Sequence, residues 1–330
     1  MTVNPERPPA FLGASSNLPL DRPFTAAQAQ QAGVDGRRLQ RWREQGLVIS
    51  PVRGAYHVTQ LEDGLALRAA CLRLTAPEDA VVTDHTAAWL HGAPMVLPAN
   101  AHLEVPPVAI YLPPGRRLRS KLADSGERSL LAHEITVVDG IAVTSLVRTT
   151  CDLGRRRHPG QAFEAMCAMA NVPELDLGAF RREVDSPRFH GYRWVRTLRA
   201  WAPHVVRGTQ SSGECGLLRH WIDCSDLPYP SVQVPVPGPR GHTLYLDLGC
   251  PDLKYAAEYD GPRWHGPERW EHDLERRRWL EQHEGWEIDV FTAADVYGQQ
   301  QTAPWRLREG VARARKRAGQ RAWHGQDRVS

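Results

Sequence analysis

The chain has 330 residues, 41 Lys and Arg against 38 Asp and Glu, and a formal net charge of +3. That length admits two or three domains with their own cores, and so small a net charge says nothing by itself about partners. No apolar run approaches the roughly 20 residues needed to span a bilayer, and six cysteines without a Cys-x-x-Cys pair argue against a zinc ribbon or disulfide framework. Free thiols and a polar, Pro-rich Met1–Leu20 without a signal-peptide core lead to the expectation of a cytoplasmic protein with a flexible leader over residues 1–20.

Charge is distributed unevenly. Lysine occurs only at Lys121, Lys254 and Lys316, whereas arginines cluster at Arg37–Arg43, Arg116–Arg119, Arg155–Arg157, Arg276–Arg278 and Arg313–Arg317. The planar guanidinium fork suits phosphate recognition, but GC-rich coding also favours arginine, and both explanations stay open.

Residues 21–60 read as a winged helix-turn-helix. Thr25 is placed to cap a first helix. Ala32-Gly-Val-Asp35 breaks that helix, and Asp35 caps a second one, Gly36 to Gln45. There Leu39 and Trp42 share one face, while Arg37, Arg38, Arg41 and Arg43 cover the rest. Gly46 stops the helix, and Leu47–His57, which contains Arg53, reads as strand, turn and strand. In such an outline the second helix enters the DNA major groove, making Arg37, Arg38, Arg41, Arg43 and Arg53 the candidate DNA contacts. The competing reading is a small helical subdomain with solvated arginines.

Residues 61–160 read as a mixed α/β middle domain. Leu65–Leu74 and Asp84–Gly92 are helical by pattern. Strand-like runs follow at His102–Val105, Ala109–Leu112, Glu134–Val138 and Ile141–Val143, then a helix with Ser145 near its cap. His85 and His91 are ligand types, but a packed helix holds both as hydrogen-bonded structural residues, which is the favoured reading. Residues 161–207 read as a helical connector, 208–320 as an α/β domain of ordinary size, and 321–330 as a flexible tail.

The last domain carries the chemistry. Leu244, Leu246 and Leu248 alternate with Tyr245, Asp247 and Gly249, the period-two pattern of a half-buried strand. Tyr255, Ala257 and Tyr259 alternate likewise with Ala256, Glu258 and Asp260. If Pro251–Lys254 form a four-residue loop, Asp247 lies directly across from Glu258 on the same face. Directly opposed residues have Cβ atoms roughly 4.5–5.5 Å apart, and like charges there are destabilising. Two such carboxylates want a cation, and hard oxygen ligands suit Mg2+ or Mn2+.

The ordered set Ser212-Gly-Glu-Cys-Gly-Leu-Leu-Arg219, Leu246-Asp247, Ala257-Glu-Tyr-Asp-Gly261 with His265, Asp273, Arg276, Leu280 and Gly285-Trp286 resembles endonuclease-like domains related to the very-short-patch-repair (Vsr) nuclease. These belong to the PD-(D/E)XK, restriction-endonuclease-like superfamily. The front half resembles AbiEi-type antitoxin proteins through the winged-helix segment, His85-Thr-Ala-Ala-Trp-Leu-His-Gly92 and Asp139–Leu153. Together they imply an α+β multidomain chain: an N-terminal winged helix-turn-helix, a mixed α/β middle domain and a C-terminal αβββαβα core.

The first resemblance implies that Asp247 is the central metal ligand, completed or supported by Glu258 and Asp260, with Glu214 reaching in from the first helix. It makes His265 a general acid or base, or a phosphate contact, and aims Arg276 at a phosphate. One departure is that the superfamily's usual lysine is Asp260 here. The Vsr-like branch also lacks that lysine, which shifts activation of water onto the metal or His265. The expectation is an Mg2+- or Mn2+-dependent DNA endonuclease or nicking enzyme in defence, repair or mobile-element biology. The rival is a non-catalytic, antitoxin-like transcriptional regulator with a degenerate nuclease fold and a nucleotidyltransferase-like toxin as partner.

Overall fold

Thr25 and Asp35 start the first two helices, as their side chains suggest. In α1 (Ala26–Gln31) the Thr25 hydroxyl accepts the Gln28 N–H while the Gln28 side chain accepts the Thr25 N–H. Before α2 (Gly36–Glu44), Asp35 accepts the Arg38 N–H at 2.8 Å. The short strands β1 (Val48–Ile49) and β2 (His57–Val58) pair antiparallel. Phe24, Ala29, Val34, Leu39, Val48 and Val58 form their core together with Leu18, and Leu12 and Leu20 pack against it. The second half of the expected leader is therefore folded onto this core. Isolated leucines without helical or strand periodicity give no pattern, yet each gains from burial.

The computed structural model describes residues 11–96, 105–112, 123–261 and 267–326. It divides into two compact units: Met1–Arg157 with Val172–Ala200, and His158–Asn171 with Trp201–Ser330. Both are mixed α/β. All six cysteines are buried free thiols, and among the described residues no helix is long and apolar enough to cross a membrane.

The first unit continues with α3 (Leu65–Arg73), β3 (Val81–Val82), α4 (Asp84–Leu90), β4 (Val108–Leu112), β5 (Ala123–Glu127), β6 (Ile135–Val138), β7 (Ile141–Thr144) and α5 (Leu146–Gly154). Its sheet has the order β5-β4-β3-β7-β6. Val52 and Ala55, between β1 and β2, share a core with Leu72, Val82, Ile110 and Val143, so the front elements and this sheet bury one apolar interior. Of the expected strand His102–Val105, all but Val105 lies outside the described residues. Two strands had no sequence signal: β3 is two residues long, and β5 reads Ala-Asp-Ser-Gly-Glu. Backbone pairing with β4 holds β5, and Gly126 lies where a Cβ would meet the Tyr111 ring at 2.8 Å. His85 and His91 each place Nε2 against a backbone carbonyl, of Pro107 at 3.1 Å and Thr144 at 2.8 Å, as the packing reading expects.

After α6 (Pro159–Ala170), which belongs to the second unit, the chain returns through α7 (Leu177–Asp185) to α8 (Val195–Trp201). A buried ion network ties this return to α5. Arg148 binds Glu134 at 2.7 Å and Asp152 at 2.8 Å, Arg188 binds Glu134 at 2.9 Å, and Arg155 binds Asp152 at 2.6 Å. Nη2 of Arg148 has no hydrogen-bond acceptor, but its guanidinium stands 5.4 Å from the Phe189 ring centroid, where the π face attracts it.

The second unit runs α9 (Ser212–Asp223), β8 (Ser231–Pro237), β9 (Thr243–Cys250), β10 (Tyr255–Asp260), α10 (Pro267–His283), β11 (Glu287–Thr292), α11 (Ala293–Tyr297) and α12 (Ala303–Gln326). Its sheet has the order β11-β10-β9-β8, antiparallel except that β10 and β11 run parallel with α10 as the crossover. Val234, Val236, Leu246, Ala256, Leu280 and Trp286 fill a core there.

Candidate functional site

Pro251–Leu253 form a single turn of 3-10 helix and Lys254 takes a left-handed conformation, closing a four-residue loop between β9 and β10. The strands then pair Tyr255 with Cys250, Ala256 with Gly249 and Ala257 with Leu248. The next step of that register sets Asp247 opposite Glu258. Pairing stops there, and the Asp247 carboxylate replaces it: Oδ2 accepts the Tyr259 backbone N–H at 2.9 Å.

Glu214 arrives from the first turn of α9. Ser211 caps that helix by accepting the Glu214 N–H at 3.1 Å and donates its hydroxyl to Glu214 Oε1 at 3.0 Å, while the Gln210 N–H donates to Oε2 at 2.7 Å. The helix comes this close to β10 because residue 213 is glycine; a Cβ there would meet the Tyr259 ring at 1.9 Å. Gly216 does the same for Tyr297, whose hydroxyl lies 2.6 Å from the Ser212 carbonyl and 3.0 Å from Glu164 on α6.

Glu214, Asp247, Glu258 and Asp260 line one cavity of about 320 Å³, together with Asp273, Arg276 and Arg277. Glu258 is only 4% exposed. Two consecutive α10 arginines grip it, Arg276 Nη1 on Oε1 at 2.7 Å and Arg277 Nε on Oε2 at 2.8 Å. Arg276 also donates to the Tyr245 carbonyl. Asp247 has no such partner. Burial first, then the Glu214 carboxylate, push its pKa up to about 7 against the opposing Tyr259 N–H, with Glu258 adding to the rise and Arg276 opposing it. Burial and the charges of Glu164 and Asp260 also raise Tyr259.

The structure thus brings together five of the six expected catalytic residues: Glu214, Asp247, Glu258, Asp260 and Arg276. His265 lies outside the described residues. Arg277 and Tyr259 were not singled out as site residues; the Arg276–Arg278 run was the signal for the first, and nothing marked the Tyr259 N–H as a partner of Asp247. The expected DNA contacts belong to the first unit. Arg37, Arg38 and Arg41 are exposed on α2, and Arg38 stacks 4.6 Å from the Trp42 ring centroid. Arg43 donates to Gln40 at 2.9 Å, and the Arg53 backbone N–H donates to the Pro106 carbonyl at 2.9 Å.

No known family profile matches the chain. It is similar to two Mycobacterium tuberculosis sequences, uncharacterized protein Rv2248 of strain H37Rv and uncharacterized protein MT2308 of strain CDC 1551. Each is 28% identical over 219 residues, covering 64% of this chain and 75% of the relative. Neither description names an activity.

Carboxylate oxygens are the donor type that a hard divalent cation takes. The carboxylates come from α9, β9 and β10, and Asp247 is held at a pKa where a bound cation would stabilise its ionised form. Among the described residues no three His, Cys, Asp or Glu side chains are grouped closely enough to hold an ion as they stand. The two guanidiniums on Glu258 occupy the oxygens a cation would use.

Proposed function

We propose that the second unit hydrolyses phosphodiester bonds in DNA as a metal-dependent endonuclease or nicking enzyme. The observation that carries the reading is the convergence of Glu214, Asp247 and Glu258 from three elements on one cavity that also holds Arg276 and Arg277. Asp247 with Glu258 and Asp260 would hold Mg2+ or Mn2+, which supplies an acidified water and bears charge on phosphoryl oxygens. Arg276 and Arg277 present guanidinium N–H groups that suit phosphate oxygens and the charge growing there. Glu214, fixed by Ser211 and Gln210, keeps negative charge beside Asp247. The order α9-β8-β9-β10-α10-β11 agrees with a restriction-endonuclease-like core, and proton transfer by His265 rests on the resemblance alone. The front elements α1, α2, β1 and β2 would act as a winged helix that binds DNA through Arg37, Arg38, Arg41, Arg43 and Arg53, mainly at phosphates. We place this chemistry in the cytoplasm.

The ion pairs on Glu258 favour a second reading. A carboxylate with both oxygens satisfied by arginine is also what a retired site retains for stability. The protein would then be an antitoxin-like transcriptional regulator, paired with a nucleotidyltransferase-like toxin, whose nuclease fold serves binding. A plasmid-nicking assay with titrated Mg2+ separates the two. Asp247→Ala and Glu258→Ala should each abolish cleavage and leave DNA affinity largely intact. Equal activity in wild type and both variants removes the catalytic reading.

A further inference from the structure

Glu258 sets two demands against each other. Its oxygens are the ones a divalent cation needs, yet Arg276 Nη1 holds Oε1 and Arg277 Nε holds Oε2, at 2.7 and 2.8 Å. The arginine side chains are 22% and 21% exposed while that of Glu258 is 5% exposed, so solvent and ligands reach the guanidiniums but scarcely reach the carboxylate. Both arginines line the same cavity as Asp247. With Glu214, Asp260 and Asp273 on its walls as well, five carboxylates face two guanidiniums there. An isolated phosphodiester entering this cavity meets mostly negative charge, and an isolated cation meets two positive groups already on its ligand. Each obstacle is removed by the other ligand.

We infer that Arg276 and Arg277 form an exchangeable clamp: a DNA phosphate draws the two guanidiniums off Glu258 and uncovers it for the divalent ion, so DNA and ion bind cooperatively. The inference rests on the nuclease reading of the cavity. A phosphate oxygen accepts a charge-assisted guanidinium hydrogen bond as a carboxylate oxygen does, so the single bond that each arginine gives Glu258 can be remade on phosphate. Adjacent positions on α10 let both move from one acceptor set to the other without unwinding the helix. By linkage the coupling is reciprocal: the ion tightens DNA binding by the same factor that DNA tightens ion binding.

The test uses the full-length chain, Mn2+ as the probe ion, and a short phosphorothioate DNA duplex that resists cleavage. Mn2+ affinity is measured by calorimetry without DNA, and duplex affinity by fluorescence anisotropy with and without Mn2+. In wild type, Mn2+ should tighten duplex binding on the order of tenfold. Arg276→Gln and Arg277→Gln should each bind Mn2+ more tightly without DNA and lose most of that coupling. Asp247-dependent Mn2+ binding that ignores both arginine changes overturns the clamp alone. Mn2+ affinity unchanged in Asp247→Asn overturns the site and the nuclease reading with it. Should the glutamine variants fail to fold, the wild-type side-chain spectrum of 15N-labelled arginine decides. The Nε resonance of Arg277, assigned by its loss in Arg277→Lys, should shift when duplex and Mn2+ are added together; an unmoved resonance at saturation overturns the exchange.

Discussion

Asp247, one step beyond the last paired residue of β9, accepts the backbone N–H of Tyr259 at 2.9 Å. The bond fixes the carboxylate in the wall of the cavity, where burial and Glu214 carry its pKa from 3.8 to about 7. A raised acid pKa means that the folded protein keeps a proton the unfolded chain has lost. Stability contributed by that proton is present below pH 4 and is lost as pH rises to about 7.

Asp247→Asn should therefore be more stable than wild type at pH 8 in EDTA. The gain should be a few kcal/mol at most, given about 1.4 kcal/mol for each tenfold change in acidity. The asparagine carbonyl still accepts from Tyr259, so the hydrogen bond survives. Urea denaturation at a series of pH values checks this: the gap between variant and wild type should narrow steadily below pH 7. A gap that stays constant with pH would mean the ionised carboxylate is not penalised.

Gly213→Ala should be strongly destabilising, because the added methyl would overlap the Tyr259 ring at 1.9 Å. Overpacking typically costs about 1–3 kcal/mol and occasionally more, and here the upper end is expected because helix α9 would have to move away from β10. Combined with Tyr259→Ala, most of the loss should vanish, giving a coupling energy that a double-mutant cycle measures. Additive single effects would place the strain elsewhere.

The acidic hairpin was legible because strand alternation and a Pro-containing loop act over neighbouring residues; its register follows from loop length alone. The arginine grip on Glu258 was not, since Arg276 and Arg277 are 18 and 19 positions away and only the path of α10 aligns them with β10. Arg276 was expected to face a phosphate, and its present partner, Glu258, was not foreseen. The network of Glu134, Arg148, Asp152 and Arg188 was hidden for the opposite reason. Charged residues in a helix and a hairpin read as solvated, and nothing local shows that the return through Pro187–Phe189 will cover them. Strand β5 has no apolar face and exists only through its partner β4.

That network should govern the acid limb of stability in the first unit. Burial works against ionisation of Glu134, but hydrogen bonds from Arg188, the Leu131 N–H and Arg148 overcome it and hold the pKa at about 2, below its usual 4.5. The stabilisation is full above pH 4.5 and is lost as pH falls toward 2. Glu134→Gln should lower stability at pH 7 and flatten the decline between pH 4.5 and 2. Thermal melts across that range check the slope; an unchanged acid limb would assign it to other carboxylates.

DNA binding by the front of the chain should be electrostatic and divisible by residue. Arg37, Arg38 and Arg41 are all exposed on α2, and stacking on Trp42 orients the Arg38 guanidinium. Each phosphate contact contributes about 0.9 to the slope of log affinity against log salt. Arg37→Ala with Arg41→Ala should therefore weaken binding to unrelated duplexes alike and reduce that slope by roughly 2. Arg38→Ala should cost more than either if its stacked orientation serves base reading, and the loss should then differ between duplex sequences. Anisotropy titrations of the full chain at several salt concentrations, in EDTA to prevent cleavage, distinguish these outcomes. A salt slope unchanged in the double variant would show that α2 does not touch the DNA backbone and would leave the α2 arginines as contacts for a protein partner.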